Sequence, residues 1–377
     1  MSAERRYSIT YTSVRKQQGA VLMVMLVILI IGAATLLLNS LSNTAIHIER
    51  DKKTADVLSQ AKQALIGYSA KSSTTPGQLV CPEDITKIGT ANEGDADNSC
   101  TLPAVGRLPW RTLKTGPLRD ADGELLWYAI SNGFRSSPIN SDNAAQLTVD
   151  GTAGSAVAII FSAGAPINGQ SRPAPTPLTP PDVTQYLDLS NNDGDNTFVT
   201  TGSDITFNDK LLLVTHDDLF RVVEKRVAKD LQNAFAGYLA ANPGRYPNPA
   251  NVSSCTIATC PSDTTQCRGW IPSFANFDNP NWILPSWFVS NGWNHLVYYS
   301  ANSSRLASSP LGCNLIAPGI PTTQALFFMT GSQLGAQIRP SNNVQDYLED
   351  LENYNMDDTY LNPGTTATSN DSLYLLP

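Results

Sequence analysis

The longest uninterrupted apolar pattern in the chain lies near its amino terminus. Residues 20–38 are all apolar or small, and no ionisable side chain occurs between Gln17 and Ile46. As a helix this run is about 28 Å long, close to the thickness of a bilayer core. Basic residues precede it, which favours a cytoplasmic amino terminus and an exported remainder. The pattern predicts one transmembrane helix at 20–38 and a single-pass inner-membrane protein with a periplasmic carboxy-terminal part.

The apolar run continues into an amphipathic pattern. Val57, Leu58, Ala61, Leu65 and Tyr68 recur at spacings of three and four residues, which is typical of a helix with one face on a globular core. We therefore expect one long helix over 20–70. A cleavable secretory signal is the alternative, but its apolar part would be shorter and would end in small residues.

The amino-terminal segment resembles the class III signal of type IV pilins and type II secretion pseudopilins. The resemblance rests on a basic leader, 1–19, that ends in Arg15-Lys16-Gln17-Gln18-Gly19, and on the apolar helix beginning at Ala20. It implies that a prepilin peptidase cuts after Gly19 and methylates Ala20. It also implies that the helix packs with other pilin or pseudopilin subunits, in a filament or pseudopilus.

One residue departs from the family pattern. The family usually has glutamate at the fifth mature position, and this chain has Val24. The departure is familiar in minor subunits at a filament tip. We therefore expect a non-enzymatic minor pilin or pseudopilin in the tip or initiation complex of such a filament. Three alternatives remain: an ordinary uncleaved signal anchor, a membrane-anchored periplasmic or surface adhesin that never enters a filament, and an anchored periplasmic enzyme.

Short sequence blocks recur in the same order in the two halves of the exported part. The segment 63–68 corresponds to 233–238, and Arg172-Pro173 corresponds to Arg339-Pro340. Tyr-Leu-Asp at 186–188 likewise matches Tyr-Leu-Glu at 347–349. An amphipathic pattern predicts a second helix over 219–239, and apolar runs predict strands at 123–130, 156–161, 296–300 and 325–330.

These elements predict an α+β fold. We expect the membrane-spanning helix to be followed by two tandem pilin-like domains, 55–212 and 213–377, each a helix packed on a small antiparallel sheet.

Six cysteines in an exported chain predict disulfides. Cys81 and Cys100 are alone in the first repeat, so we expect them to pair. Three pairings remain open for the cysteines of the second repeat, which are Cys255, Cys260, Cys267 and Cys313. A zinc site is the rival interpretation, but the spacing is looser than in usual zinc pairs.

Two acidic loops occupy corresponding positions in the repeats. Calcium takes six to eight oxygen ligands, and closely spaced Asp and Asn residues can supply them. The loops therefore predict a structural calcium, with a solvated turn as the alternative. The candidate ligands are Asn191, Asp193, Asp195, Asn353, Asp357 and Asp358.

The composition adds two exclusions. With 25 basic and 33 acidic residues the formal charge is -8, which argues against nucleic acid as a partner. The sequence contains no His-Glu-x-x-His, no Gly-x-Ser-x-Gly and no phosphate-binding loop. We therefore predict no catalytic residue and no cofactor other than calcium.

Overall fold

The structure is a computed structural model. It describes the backbone of residues 18–376 apart from 168, 204, 257, 276–278, 309, 311, 318–322, 363, 365 and 367. In the first helix it describes the side chains of 22–31 and of 44 onward. Most of the predicted leader, 1–17, lies outside these residues.

The chain divides into two compact units, Met1–Lys53 and Thr54–Pro377. Helix α1, Gln18–Ala70, has residues in both. In the first unit the described side chains of α1 are exposed. In the second unit Leu58, Ala61 and Leu65 are buried in the hydrophobic core.

The prediction of a membrane-spanning helix is wrong for the described residues. None of their helices combines the length and the apolar character needed to cross a bilayer. The predicted single-pass inner-membrane localisation depended on this helix and is therefore not supported either.

The first repeat is built on a four-stranded antiparallel sheet with the order β1-β2-β5-β7. A smaller sheet has the order β4-β3-β6, and its strands fall between β2 and β7 along the chain. In this sheet β3 and β6 are parallel. The seven strands are β1 Ala104–Arg107, β2 Trp127–Ile130, β3 Leu147–Val149, β4 Thr152–Ala156, β5 Ala158–Ser162, β6 Thr197–Phe198 and β7 Lys210–Val214.

The second repeat has a four-stranded antiparallel sheet of the same topology, in the order β8-β9-β10-β11. Its helices and strands are α2 His216–Ala241, β8 Arg268–Trp270, α3 Ser286–Ser290, β9 Val297–Ala301, β10 Ala325–Met329, α4 Leu351–Tyr354 and β11 Ser372–Leu376. In both sheets the two central strands are fully buried, which explains their continuous apolar sequences.

Helix α2 starts where its sequence contains a capping box. The Thr215 side chain accepts a hydrogen bond from the Asp218 backbone N–H, and the Asp218 carboxylate accepts one from the Thr215 N–H. This reciprocal pair satisfies two backbone donors that a helix start would otherwise leave open.

One large hydrophobic core extends through both repeats, beside a smaller one in the first repeat alone, so the predicted fold class of two tandem domains behind a membrane helix is corrected. Phe220 of α2 packs against Phe134 of the first repeat and Trp293 of the second, with ring centroids 6.1 and 6.4 Å away. Because α2 packs against both halves, residues 54–377 form one compact mixed α/β unit, and its described residues include three sheets.

Candidate functional site

The first candidate is the apolar segment 22–31 of α1. All ten of its side chains are apolar, and each is between 50% and 73% exposed. Burial of a large aliphatic side chain is worth about 1.5–3 kcal/mol. A ten-residue segment that is exposed and apolar on every face is therefore a candidate surface for association with an apolar partner.

The predicted processing site lies at the amino-terminal end of this helix. Gly19 and Ala20 belong to α1, and their side chains lie outside the described set. Val24 is in the apolar segment and is 58% exposed. The interpretation of these three residues stays a prediction.

All six cysteines form disulfides. Cys81 is bonded to Cys100, the pairing expected for the first repeat. In the second repeat Cys255 is bonded to Cys260 and Cys267 to Cys313. The predicted disulfides are therefore confirmed, and the open choice among three pairings is resolved.

The candidate calcium ligands of the first acidic loop hold the loop's own backbone. Asn191 is buried, and its side-chain oxygen accepts a hydrogen bond from the Val199 N–H at 2.9 Å. Asp193 and Asp195 are exposed and each accepts from a backbone N–H two residues further on. These are the contacts of consecutive Asx turns.

The second loop repeats part of this pattern. Asn353 is buried and accepts from the Leu361 N–H at 2.8 Å, and Asp357 accepts from the Thr359 N–H at 2.9 Å. Asp358 forms an ion pair with Arg268 at 2.7 Å. In the described residues no group of three His, Cys, Asp or Glu side chains is arranged to hold a metal ion. The calcium site stays a prediction.

The most closely repeated feature is a buried arginine in each half. Arg172 donates from Nη1 to the Gly164 carbonyl at 2.7 Å and from Nε to the Gln185 carbonyl at 2.8 Å. Its Nη2 donates to the Gln170 side chain at 2.6 Å and to the Tyr186 carbonyl at 3.3 Å. The guanidinium also lies 4.8 Å from the centre of the Tyr186 ring.

Arg339 makes the same contacts in the second repeat. It donates to the carbonyls of Gly331 at 2.9 Å, Asp346 at 2.6 Å and Tyr347 at 3.2 Å, and to the Gln337 side chain at 2.9 Å. The Tyr347 ring centre lies 4.7 Å away. We call these two arrangements the arginine clamps; each ties the turn after a central strand to the Tyr-Leu-Asp or Tyr-Leu-Glu segment.

A second repeated group was missed by the sequence analysis. Asp209 accepts hydrogen bonds from the Asp188 N–H and the Asn191 side chain, both at 2.9 Å. Asp371 accepts from the Glu349 N–H at 3.1 Å at the equivalent place. Burial raises the pKa of Asp209 to about 7 and that of Asp371 well above its ordinary value. Asn-Asp-x-Leu-x-Leu, at 208–213 and again at 370–375, is the sequence signal that could have identified the pair.

A polar cluster joins the two repeats. Ser141 Oγ donates to Glu224 Oε1 at 2.6 Å, and the Ser141 carbonyl lies 2.8 Å from His216 Nε2. Arg339 Nη1 donates to Asp142 Oδ1 at 3.1 Å. Burial raises the pKa of Glu224 to about 7. The Ser141 hydroxyl is bonded to the carboxylate rather than to the imidazole, so the group does not have the Ser–His contact of a nucleophilic pair.

A cavity with a volume of about 800 Å³ opens beside the carboxyl end of α1. We call it the α1 groove. Its walls combine an aromatic ring, amides and charged side chains, including Gln63, Tyr68, Lys71, Asp97, Lys114 and Arg135.

Comparison of the chain with protein-family models, with curated proteins and with solved structures gives no match.

Proposed function

We propose that this protein is a non-enzymatic structural subunit of a helical filament, of the minor pilin or pseudopilin type, located at the tip or in the initiation complex. The observation that carries the proposal is the exposed apolar segment 22–31. Helices of other pilin or pseudopilin subunits are the partners that would cover it on all sides.

The charge pattern supports association through this helix. No ionisable side chain occurs between Gln17 and Ile46, so helices packed side by side along this stretch bury no charged side chain. Val24 fits the same arrangement, because it adds apolar surface at the position where the related subunits carry glutamate. The large compact unit behind the helix suits a subunit that occurs once rather than along a filament shaft.

Photocrosslinking in the native host tests the partner directly. With p-benzoylphenylalanine in place of Leu26, we expect crosslinked peptides from the apolar amino-terminal helix of another subunit. The matched control places the same probe at Lys53, an exposed α1 position outside the apolar segment, where we expect no such adduct. Adducts at Leu26 that contain only lipid, or only non-helical protein segments, would overturn the proposal.

Amino-terminal mass analysis tests the processing step. The proposal requires a mature chain that begins at methylated Ala20. Gly19→Val should leave the leader attached, whereas Gln18→Ala, at the neighbouring residue, should not. An intact Met1 on the assembled protein would exclude processing by a prepilin peptidase.

A further inference from the structure

The α1 groove carries an excess of positive charge in an acidic protein. The chain has a formal charge of -8, yet Lys71, Lys114 and Arg135 line the groove against one carboxylate, Asp97. In the described residues neither lysine is paired with a carboxylate. Arg135 is held in place by a hydrogen bond from Nη2 to the Asn98 carbonyl at 2.8 Å.

The second repeat contains a region equivalent to the α1 groove, at the carboxyl end of α2. The Leu79 N–H donates to the Phe134 carbonyl at 2.8 Å, and the Tyr246 N–H donates to the Arg305 carbonyl at the same distance. The next contact is also repeated: the Gln78 side chain donates to the Arg135 carbonyl, and the Arg245 side chain donates to the Leu306 carbonyl. These paired bonds fix the carboxyl end of α1 as the counterpart of the carboxyl end of α2.

The two places differ in whether they are covered. Tyr68 on α1 is 42% exposed, whereas its counterpart Tyr238 on α2 is 1% exposed. The ring of Trp282 lies 6.0 Å from Tyr238 and 4.9 Å from Phe235, edge-on to the former. Its indole N–H donates to the Pro272 carbonyl at 2.7 Å.

The cover comes from a longer connection in the second repeat. The paired residues Arg107 and Trp127 are 20 positions apart in the first sheet, and the equivalent pair, Trp270 and Tyr298, is 28 positions apart in the second. The longer connection includes Trp282. In the first repeat Tyr68 stays exposed on the corresponding surface of α1, while Leu65, the counterpart of Phe235, is buried.

We propose that the α1 groove binds a peptide segment of a partner protein that carries an aromatic side chain next to carboxylates. Trp282 shows that the equivalent surface accepts an indole ring supplied by a peptide. The unpaired Lys71 and Lys114, together with Arg135, select a segment with negative charge beside that ring.

A synthetic peptide tests the proposal on the full chain. The probe is acetyl-Asp-Pro-Asn-Trp-Asp-amide, and its binding is measured by calorimetry. We expect saturable binding that is lost when alanine replaces the tryptophan, and that weakens about tenfold when asparagine replaces both aspartates. Equal binding of the alanine peptide would overturn the proposal. So would binding of a trigalacturonate probe with none of the peptide, which would assign the groove to acidic sugars.

Two kinds of variant locate the site. Lys71→Ala combined with Lys114→Ala should weaken binding about tenfold, whereas Lys229→Ala, at an exposed lysine of α2, should leave it unchanged. Gly67 lines the groove, and a Cβ added there meets no atom within 4 Å, so Gly67→Trp should fill the groove and abolish binding. Unchanged binding in the lysine double variant would overturn the proposal even if Gly67→Trp fails to fold. No filament is involved in these measurements, so they fail or succeed independently of the proposed function.

Discussion

At the scale of single residues, the arginine clamps show why one side-chain type is required. Each guanidinium reaches several backbone carbonyls and a glutamine side chain from one planar group, while stacking on a tyrosine ring. A lysine ammonium has three donors and no plane, so it cannot reproduce these contacts. The side chains of Arg172 and Arg339 are only 4% and 1% exposed, so water cannot replace the lost bonds.

Arg172→Lys and Arg339→Lys should therefore each lower the free energy of unfolding by about 2–4 kcal/mol. Urea denaturation of the full chain measures this loss. Arg221→Lys, on the exposed side of α2, is the matched control and should change stability by less than about 0.5 kcal/mol. Equal stability of the clamp variants and the control would contradict the role given to the guanidinium.

Asp209 makes stability depend on pH. Its pKa in the folded protein is about 7, against an ordinary value of 3.8, because the carboxyl is buried. The folded state therefore holds this proton more tightly than the unfolded chain, and its stability falls as pH rises between about 4 and 7.

Asp209→Asn should remove about 2–3 kcal/mol of the difference in unfolding free energy between pH 5 and pH 8. Denaturant unfolding at the two pH values measures it. Asp217→Asn, with a side chain that is 80% exposed, is the control. A variant that keeps the full pH dependence of the native chain would show that other groups cause it.

The sequence showed that both arginines recur, but not what they bind. Their partners are mainly backbone carbonyls, and a carbonyl has no residue identity that a sequence pattern could reveal. The same difficulty leaves two interpretations open for Asn191 and Asn353, a turn and a calcium ligand. An amide that supports its own turn and an amide that awaits a cation occur in similar sequences.

At the scale of elements, the last turns of α1 and α2 each contain a glycine that lowers helix stability. Gly67 and Gly237 lie one turn before the ends of α1 and α2, and a Cβ at either position meets no atom within 4 Å. Glycine inside a helix costs about 1 kcal/mol relative to alanine.

Gly67→Ala and Gly237→Ala should each raise the free energy of unfolding by about 0.5–1 kcal/mol, which thermal denaturation can detect. Gly269→Ala is the opposite case, because its Cβ would lie 1.9 Å from the Ala250 carbonyl oxygen. That variant should be strongly destabilised. A gain at Gly67 without one at Gly237 would mean that the two helix ends are not equivalent.

The indole ring of Trp282, which covers the carboxyl end of α2, can be removed by substitution. Trp282→Ala should cost about 3–5 kcal/mol, because a fully buried ring is lost and a cavity is left. Tyr68→Ala, at the half-exposed surface of the α1 groove, should cost much less. Chemical denaturation of both variants compares the two sites, and equal losses would contradict the difference in covering on which the groove proposal depends.

Periodicity predicted the central elements of each repeat well. The second helix was predicted over 219–239 and is α2. The predicted strands contain all of β2 and β10, and all of β5 and β9 except their last residues, Ser162 and Ala301. The edge strands β1, β7, β8 and β11 were not predicted. Of these, β1 and β8 have only four and three residues, and both contain glycine. Their extended conformation depends on pairing with a central strand rather than on local preference.

At the scale of the whole molecule, the disulfides close loops of different lengths. The sequence separations are 5 residues for Cys255–Cys260, 19 for Cys81–Cys100 and 46 for Cys267–Cys313. On the chain-entropy account, longer closed loops stabilise the folded state more.

Replacing each pair by serine should lower the free energy of unfolding by about 2, 3 and 4 kcal/mol in that order. Denaturant titration of the three double variants tests the ranking. The Cys255–Cys260 pair closes the shortest loop, so its replacement serves as the internal control for the local effect of changing cysteine to serine. A largest loss for that pair would show that local packing, and not loop length, decides.

The shared core could not be predicted from the repeats. Duplicated blocks suggest two domains, because each block is complete in itself. Whether the two repeats form separate domains or one unit depends on which side chains of α2 pack against the first repeat as well as the second. Phe220 sits between Phe134 and Trp293, yet its place in the helical pattern is that of any core residue.

The junction between the repeats is a single residue. Strand β7 ends at Val214, α2 begins at His216, and Thr215 between them is fixed by the capping box. Lys62 strengthens the junction, since its ammonium lies 2.6 Å from Asp218 and 3.0 Å from the Leu213 carbonyl. The molecule thus has no hinge at this point. The two copies therefore cannot pivot at Thr215 without breaking the capping-box hydrogen bonds and the contacts of Lys62.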